Sequence, residues 1–157
     1  NLLDNLGWSN SLKDHVLNRG LPMLGICVGM QLLADFGEEG SADDTFTPGL
    51  GFIPGAVESL KKLGCSERVP HMGWNSVFPV NEDGLFMNIP QDTNFYFVHS
   101  YAFIPKSDDF IHAKTSHGIS IIAAIRKDNI FGTQFHPEKS SKAGLTVLKN
   151  FLDLSSC

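Results

Sequence analysis

The 157-residue sequence has no run of lysine and arginine, no long hydrophobic segment and no closely spaced pair of cysteines. Because the formal net charge is −5 and no basic run is present, we expect neither a nucleic-acid nor a membrane partner. No apolar stretch approaches the roughly 20 residues that a membrane-spanning helix needs. No signal peptide is visible, although the sequence opens at Asn1 without a methionine.

The cysteines are few and single. An odd set of three, Cys27, Cys65 and Cys157, fits neither a disulfide framework nor a zinc cluster. Thiols that stay free are typical of a reducing compartment, so we expect a cytoplasmic protein. The six histidines also occur without the spacing of a metal pair on one helix, and we expect neither a metal nor another cofactor.

The length and a hydrophobic content of 42% are those of one globular domain. We find no linker, repeat or low-complexity tract, and therefore treat residues 1–157 as one domain. Its first half alternates helices and strands. A helix is predicted from Leu6 to Asn18; it stops at Gly20 and has Leu12, Val16 and Leu17 on one side. A strand buried on both faces is predicted from Pro22 to Ile26. A second helix is predicted from Val28 to Phe36, ended by Gly37, and a loop from Asp43 to Pro54.

Strands dominate the second half. They are predicted at Ser76–Val80, Phe95–Ile104, Ile111–Ser116, Ile119–Ile125 and Ile130–Phe135, with turns at Gly118 and at Asp128–Asn129. Ser140 or Ser141 is predicted to cap a closing helix that buries Leu145, Val147, Leu148, Phe151 and Leu152. This order predicts an α/β layered domain with a partly antiparallel extension.

Cys27 lies between a predicted strand and a predicted helix, with a glycine two residues away on either side. This is the thiol version of the nucleophile elbow, in which a sharp turn strains the nucleophile and glycines remove Cβ atoms that would clash. We expect the helix N-terminus to favour the thiolate, and the N–H of Val28 to stabilise an oxyanion. The alternative is a buried structural cysteine, which gives no reason for the two glycines.

His136 and Glu138 end a predicted strand. Residues two apart in an extended chain point to the same face, so imidazole and carboxylate can lie side by side. Such a pair suits proton transfer at a thiol, with the carboxylate holding the imidazole tautomer. A packed core histidine, half of a metal site or two surface residues are the alternatives, and a metal is the least favoured because no third ligand has suitable spacing.

Four segments resemble the class I glutamine amidotransferases, most closely the glutaminases of histidine biosynthesis. They are Leu24–Leu33 (LGICVGMQLL), Gly132–Ser140 (GTQFHPEKS), Val69–Asn75 (VPHMGWN) and Tyr96–Tyr101 (YFVHSY). The resemblance implies a three-layer, flavodoxin-like sheet and hydrolysis of glutamine to glutamate and ammonia through a cysteinyl thioester. It also implies that the ammonia passes to a (β/α)8-barrel cyclase subunit in a heterodimer.

The resemblance also implies a role for individual residues. The catalytic triad would be Cys27, His136 and Glu138. The groups that hold glutamine would be Val28, Gln31 and the backbone around Ser100 and Tyr101, and the contact with the cyclase would comprise Pro70, Met72, Trp74 and Lys139. On its own, the segment Val69–Asn75 is interpreted as an ordinary turn with one packed tryptophan.

The start of the chain departs from the family. Nothing in Asn1–Asn10 resembles its first strands or the glycine-rich loop that supplies a second oxyanion donor. We therefore expect a truncated domain that lacks about two βα units, or about 60 residues, and little or no activity from residues 1–157 alone. Three alternatives stay open: an amidotransferase of another synthase, such as one for sugar or polysaccharide amination, a γ-glutamyl hydrolase without a partner, and a non-catalytic interaction subunit.

Overall fold

The computed structural model describes residues 7–40 and 46–154 of the chain. In these ranges the strands form two mixed sheets. The helices in these ranges are α1 (Trp8–Lys13), which continues into a π-helical segment (Asp14–Asn18), α2 (Val28–Gln31) and α3 (Ser141–Leu154). The strands are β1 (Met23–Ile26), β2 (Phe36–Gly37), β3 (Thr47–Pro48), β4 (Gly55–Ser59), β5 (His71–Pro79), β6 (Thr93–His99), β7 (Tyr101–Pro105), β8 (Ile111–His117), β9 (Ile119–Lys127) and β10 (Ile130–Thr133). Short 3₁₀ turns occupy Gly84–Phe86, Asp108–Phe110 and Pro137–Lys139.

The larger sheet has the strand order β1-β10-β9-β8-β5-β6, and the smaller one the order β3-β2-β4-β7. In the larger sheet β1 pairs with β10 in parallel, and the remaining pairings are antiparallel. The predicted α/β class with an antiparallel extension is therefore confirmed. The sheet curls strongly, because the residue after β1 at one edge, Cys27, contacts the carbonyl of Val98 on β6 at the other edge.

The core consists of two main hydrophobic clusters. One joins α3 to the sheet through Val147 and a group of phenylalanines, Phe86, Phe95, Phe97, Phe131 and Phe135. The other joins α1 and α2 to the sheet and contains Val16, Met30, Leu33 and Ile125. Burial of large aromatic and aliphatic side chains is the main stabilising contribution to folding. Strand β1 packs against both clusters, Leu24 against the first and Met23 against the second.

Most predicted strands of the second half are confirmed, as are the turns at Gly118 and Asp128–Asn129. Two predictions there were wrong. The segment Phe95–Ile104 forms two strands, β6 and β7, that break at Ser100 and belong to different sheets. The segment Val69–Asn75 is not a turn with a packed tryptophan, because β5 already begins at His71 and Trp74 is exposed.

The helix predicted from Val28 to Phe36 was wrong beyond Gln31. The carbonyls of Leu32, Leu33 and Ala34 accept hydrogen bonds from the N–H groups of Leu50, Phe52 and Gly51 instead of continuing the helix. Phe36 then enters β2, and this strand, β3 and β4 were not predicted. Within the predicted loop Asp43–Pro54, residues 43–45 lie outside the described residues, as does Leu6 of the first helix.

The buried faces of two helices differ from the prediction. On α3, Val147 is buried, Leu148 and Phe151 are half-buried, and Leu145 and Leu152 are exposed, because Gly144 and Asn150 occupy the face against the sheet. Before β1, Val16 is buried and Leu12 half-buried, but Leu17 is exposed on the π-helical segment. A π-turn changes the angular spacing of side chains and so breaks the expected helical periodicity.

Candidate active site

Cys27 occupies a strained turn between β1 and α2. Its backbone has φ 51° and ψ −109°, in the positive-φ region that costs on the order of 1–3 kcal/mol for a non-glycine residue. Its N–H donates to the carbonyl of Thr133 at 2.7 Å and so extends the β1–β10 pairing to the cysteine. The sheet therefore holds the strained turn that the elbow motif predicts.

The two flanking glycines do different things. A Cβ at Gly25 would lie 2.5 Å from the carbonyl oxygen of Gly29, so the strand and the following turn approach each other too closely for any side chain. A Cβ at Gly29 would have no neighbour within 4 Å. The predicted steric reason therefore holds for Gly25 and was wrong for Gly29.

The thiol of Cys27 does not have the lowered pKa that the helix N-terminus led us to expect. Burial raises its pKa, and the N–H of Val28, which faces the sulfur, lowers it by less. The helix α2 has only four residues, so its dipole is small. The sulfur lies 3.8 Å from the Val98 carbonyl and 3.7 Å from Nε2 of Gln134. The first contact suits a thiol and the second a thiolate.

His136 follows β10, and both its backbone N–H and its backbone carbonyl are hydrogen-bonded. Its N–H donates to the carbonyl of Tyr96 at 2.9 Å, and its own carbonyl accepts from the hydroxyl of Ser140 at 2.6 Å. Nδ1 lies 2.7 Å from Oε1 of Glu138, and because a carboxylate can only accept, Nδ1 carries a proton. Nε2 is buried and has no hydrogen-bond partner among the described residues, so its lone pair is available to accept a proton.

Cys27 and His136 both contact strand β6. The sulfur contacts the carbonyl of Val98, and the backbone of His136 contacts that of Tyr96, two residues earlier on the same strand. Residues two apart on a strand lie about 6.6 Å from each other. Residues separated by more than a hundred positions in sequence thus both contact β6, at backbone carbonyls two residues apart.

A cavity of about 300 Å³ opens beside the elbow. Val28 and Gln31, both predicted to hold substrate, line it together with Glu39 and residues of β2, β3 and β4. Glu39 is exposed at the rim, but partial burial of its carboxyl raises its pKa, and its charge is close enough to Cys27 to raise the pKa of the thiol. The cavity is large enough for an amino acid, and its acidic rim suits an ammonium group.

Ser100 and Tyr101, the other predicted substrate contacts, do not line this cavity. The carbonyl of Ser100 accepts the N–H of Leu60. The carbonyl of Tyr101 accepts Nε2 of Gln31 at 3.3 Å and Nδ1 of His99 at 2.7 Å. Both carbonyls are therefore hydrogen-bonded within the chain, and that of Tyr101 contacts Gln31.

The predicted partner contact forms an exposed surface along β5. Met72 and Trp74 alternate outwards on the strand, Pro70 precedes them, and Trp74 contacts the ring of Tyr96 edge to face. Nζ of Lys139 lies 5.9 Å from the centroid of the same Tyr96 ring. We call this surface, Pro70, Met72, Trp74, Tyr96 and Lys139, the β5 face. It reaches His136, because Tyr96 carries the carbonyl that fixes it.

Sequence reasoning missed three residues of this region: Glu39, Gln134 and Tyr96. Gln134 and Tyr96 lie within the motifs Gly132–Ser140 and Tyr96–Tyr101. The motifs therefore indicated that these segments belong to the site, but not which contacts the two side chains make. Glu39 had no such signal, because its place at the cavity depends on how the chain continues after α2.

Other features do not add a further site. In residues 7–40 and 46–154, no three histidine, cysteine or acidic side chains are grouped to hold a metal ion. None of the helices in those ranges combines the length and apolar character needed to cross a bilayer.

The comparisons with known proteins agree on one family. Residues 4–154 match the sequence profile described as glutamine amidotransferase class-I. The imidazole glycerol phosphate synthase subunit HisH of Pelagibacter ubique is 43% identical over 148 residues, which cover 94% of this chain and 69% of that protein. The subunit of the same name from Neisseria meningitidis serogroup A is 46% identical over 152 residues, covering 94% and 68%. A crystal structure described as a glutamine amidotransferase superposes with a TM-score of 0.69 at 20% identity, covering 99% of this chain and 72% of that one.

Proposed function

The chain belongs to the class-I glutamine amidotransferase family, and from this premise we propose that it is the glutaminase subunit of an imidazole glycerol phosphate synthase. In that role it hydrolyses glutamine to glutamate and ammonia, and the ammonia serves a cyclase partner in histidine biosynthesis. The observation that supports the proposal is that the strained Cys27 elbow and the segment that carries the His136–Glu138 pair both contact β6, at carbonyls two residues apart.

In the proposed reaction, Nε2 of His136 takes the proton of the Cys27 thiol, and the thiolate attacks the γ-amide carbon of glutamine. The N–H of Val28 stabilises the oxyanion that forms. His136 then gives the proton to the departing amide nitrogen, so that ammonia leaves and a γ-glutamyl thioester remains. Water, deprotonated by His136, hydrolyses the thioester to glutamate and restores the thiol.

His136 is needed because burial raises the thiol pKa, so the resting group is the thiol. A proton acceptor must therefore be present when substrate binds. Glu138 holds Nδ1 and leaves Nε2 to act. The carboxylate also stabilises the imidazolium that forms in each half of the reaction.

Glutamine binding is proposed for the cavity beside the elbow. Glu39 at the rim pairs with the α-ammonium group, while Val28 and Gln31 place the γ-amide at the elbow. A charge-assisted contact of this kind distinguishes an amino acid from a simple amide.

The cyclase partner is proposed to dock on the β5 face. Exposed Met72 and Trp74 provide the aromatic and methionine surface that is enriched in interfaces, and Lys139 provides a charge at the edge. This surface lies beside His136, so ammonia released there has a short path to a docked subunit. We propose that the ammonia passes to the barrel without contact with bulk water.

The test separates the two halves of the reaction. In the complete protein with its cyclase subunit, Cys27→Ser should abolish synthesis driven by glutamine and leave synthesis driven by added ammonia at the parent rate. Cys65→Ser is the matched control, because that thiol lies outside the site and bonds to the carbonyl of His117. Glutamine consumption at the parent rate in the Cys27 variant would show the assignment to be wrong.

The same assay distinguishes the alternatives. A γ-glutamyl hydrolase would turn over glutamyl substrates at full speed without a partner. An amidotransferase of another synthase would retain the dependence on Cys27 but give no product with this cyclase. Assay of residues 1–157 without a partner tests whether they suffice for catalysis.

A further inference from the structure

A chain of buried and half-buried hydrogen bonds crosses from β5 to the corner between β6 and β7, and the proposed reaction does not use it. Nδ2 of Asn75 lies 3.0 Å from Nε2 of His71, Nδ1 of His71 lies 2.9 Å from Nε2 of His99, and Nδ1 of His99 lies 2.7 Å from the carbonyl oxygen of Tyr101. His71 and His99 are 3% and 6% exposed. We call Asn75, His71 and His99 the histidine relay.

The direction of every bond in the relay is determined. The Tyr101 carbonyl can only accept, so His99 carries its proton on Nδ1, and its Nε2 accepts from Nδ1–H of His71. Nε2 of His71 must then accept from the Asn75 amide. That amide cannot turn round, because its oxygen accepts the N–H of Ser76 and its nitrogen also donates to the Ser116 carbonyl.

Both imidazoles are neutral in this arrangement. Burial lowers the pKa of His71 to about 3 and that of His99 to about 4. The relay is therefore a fixed series of donors that ends at one carbonyl oxygen, and it does not carry a charge at neutral pH.

Two buried glutamines, Gln31 and Gln134, connect the Tyr101 carbonyl to the sulfur of Cys27 by hydrogen bonds. We call them the glutamine pair. Nε2 of Gln31 donates both to this carbonyl at 3.3 Å and to Oε1 of Gln134 at 3.1 Å. Because Oε1 of Gln134 is occupied in this way, its Nε2 points to the sulfur of Cys27, 3.7 Å away.

We infer that the histidine relay positions the glutamine pair, and so holds an amide donor against the sulfur of Cys27. This inference rests on the proposed function, in which the sulfur must become a thiolate. An N–H directed at the sulfur stabilises the thiolate and not the thiol. His71 and His99 are thus positioning residues for the nucleophile, although neither touches it.

A purely structural role would need only packing, and the neighbouring ring of His117 provides the comparison. It stacks on His71 with a centroid distance of 4.2 Å, while its Nε2 lies 2.8 Å from the Arg68 carbonyl. His117 thus belongs to the same aromatic cluster but donates outside the relay. His117→Phe is therefore the matched control for His71→Phe and His99→Phe.

The measurement is the pH dependence of alkylation of Cys27 by iodoacetamide, in the complete protein bound to its cyclase subunit. Cys65→Ser and Cys157→Ser in the background leave Cys27 as the reporting thiol of this chain. The charged groups that act on the sulfur, Glu39, Glu138 and Lys139, and the proposed base, His136, are unchanged in every variant. Glutamine kcat and KM are measured beside it.

We expect His99→Phe to move the alkylation midpoint up by about one pH unit and to lower kcat about tenfold. His99→Asn, which keeps an N–H near the Tyr101 carbonyl, should recover part of both effects, and His117→Phe should match the parent. Gln134→Leu removes the donor itself and should give the same shift. His99→Phe added to it should then change nothing further.

An unchanged midpoint in His99→Phe, or an equal shift in His117→Phe, would overturn the inference. If the phenylalanine variants fail to fold, His99→Asn and Gln134→Leu provide the test. An alkylation midpoint that is unchanged in both of these variants would also overturn the inference. Alkylation does not require glutamine turnover, so the two proposals fail separately. Relay variants without effect refute the relay alone, whereas glutamine use by Cys27→Ser refutes the proposed function alone.

Discussion

Nδ1 of His136 lies 2.7 Å from Oε1 of Glu138, while Nε2 of the same ring is buried without a hydrogen-bond partner among the described residues. One nitrogen is thus held and the other is left to exchange a proton. The proline between the two residues produces this geometry, because Pro137 begins the 3₁₀ turn that brings Glu138 back towards the ring.

Glu138→Gln should keep the shape of the pair and remove its charge. We expect the kcat for glutamine hydrolysis by the complex to fall on the order of 100-fold, since the imidazolium loses its stabilising carboxylate and the tautomer is no longer fixed. KM should change little. Glutamate release gives both values, with exposed Glu67→Gln as the control. A kcat equal to that of the parent would remove Glu138 from the mechanism.

The glycines around Cys27 give a matched pair for stability. Gly25→Ala forces a Cβ to within 2.5 Å of the Gly29 carbonyl, and we expect the free energy of unfolding to drop by about 1–3 kcal/mol or more. Gly29→Ala meets open space and should change it by less than about 1 kcal/mol. Urea denaturation measures both. Equal losses in the two variants would contradict the close approach of strand and turn.

Local patterns were sufficient where short-range chemistry decides the structure. The elbow at Cys27, the His136–Glu138 pair and the turn at Gly118 all depend on residues within a few positions of one another. Glycine, proline and alternation mark such places directly. The resemblance of the four motifs added the pairing between distant segments, which spacing alone cannot supply.

Long-range competition explains the errors. The helix after Cys27 stops at Gln31 because N–H groups of residues 50–52 bond to carbonyls that a longer helix would use. Leu145 was predicted to be buried, but Asn150 occupies the inner face of α3 because its amide bonds to the chain around Met87. Neither partner is near in sequence, so no local pattern could show it.

Asn150 therefore offers a stability test. Its Nδ2 donates to the carbonyls of Leu85 at 2.9 Å and Met87 at 2.8 Å in a buried position. Asn150→Ala leaves both carbonyls without their donor, and we expect the free energy of unfolding to fall by about 2–3 kcal/mol. Lys149→Ala, which removes an exposed ion pair with Asp153, should cost less than about 1 kcal/mol. Denaturation midpoints that do not differ would show that the buried amide contributes little.

Trp74 tests the β5 face. The side chain is 54% exposed and contacts the ring of Tyr96. If the cyclase docks there, Trp74→Ala should weaken the heterodimer by about 2 kcal/mol or more, or roughly 30-fold in Kd. Calorimetric titration of the two subunits measures this, and Leu152→Ala, an exposed apolar residue on α3, is the control. Equal affinities for both variants would place the interface elsewhere.

Glu39 gives a prediction with a definite pH dependence. Burial raises the pKa of its carboxyl above the usual value, and only the carboxylate pairs with the ammonium group of glutamine. KM for glutamine should therefore rise as the pH falls through this raised pKa. Glu39→Gln should raise KM at neutral pH by about tenfold or more.

The same variant should also lose this pH dependence of KM, because no carboxyl is left at the rim to titrate. Glu38→Gln is the neighbouring control, since that carboxylate is paired with Lys62 and does not line the cavity. Initial rates measured against glutamine concentration across the acidic pH range separate KM from kcat. A KM in Glu39→Gln that keeps the parent's value and pH dependence would mean that the ammonium group binds away from this rim.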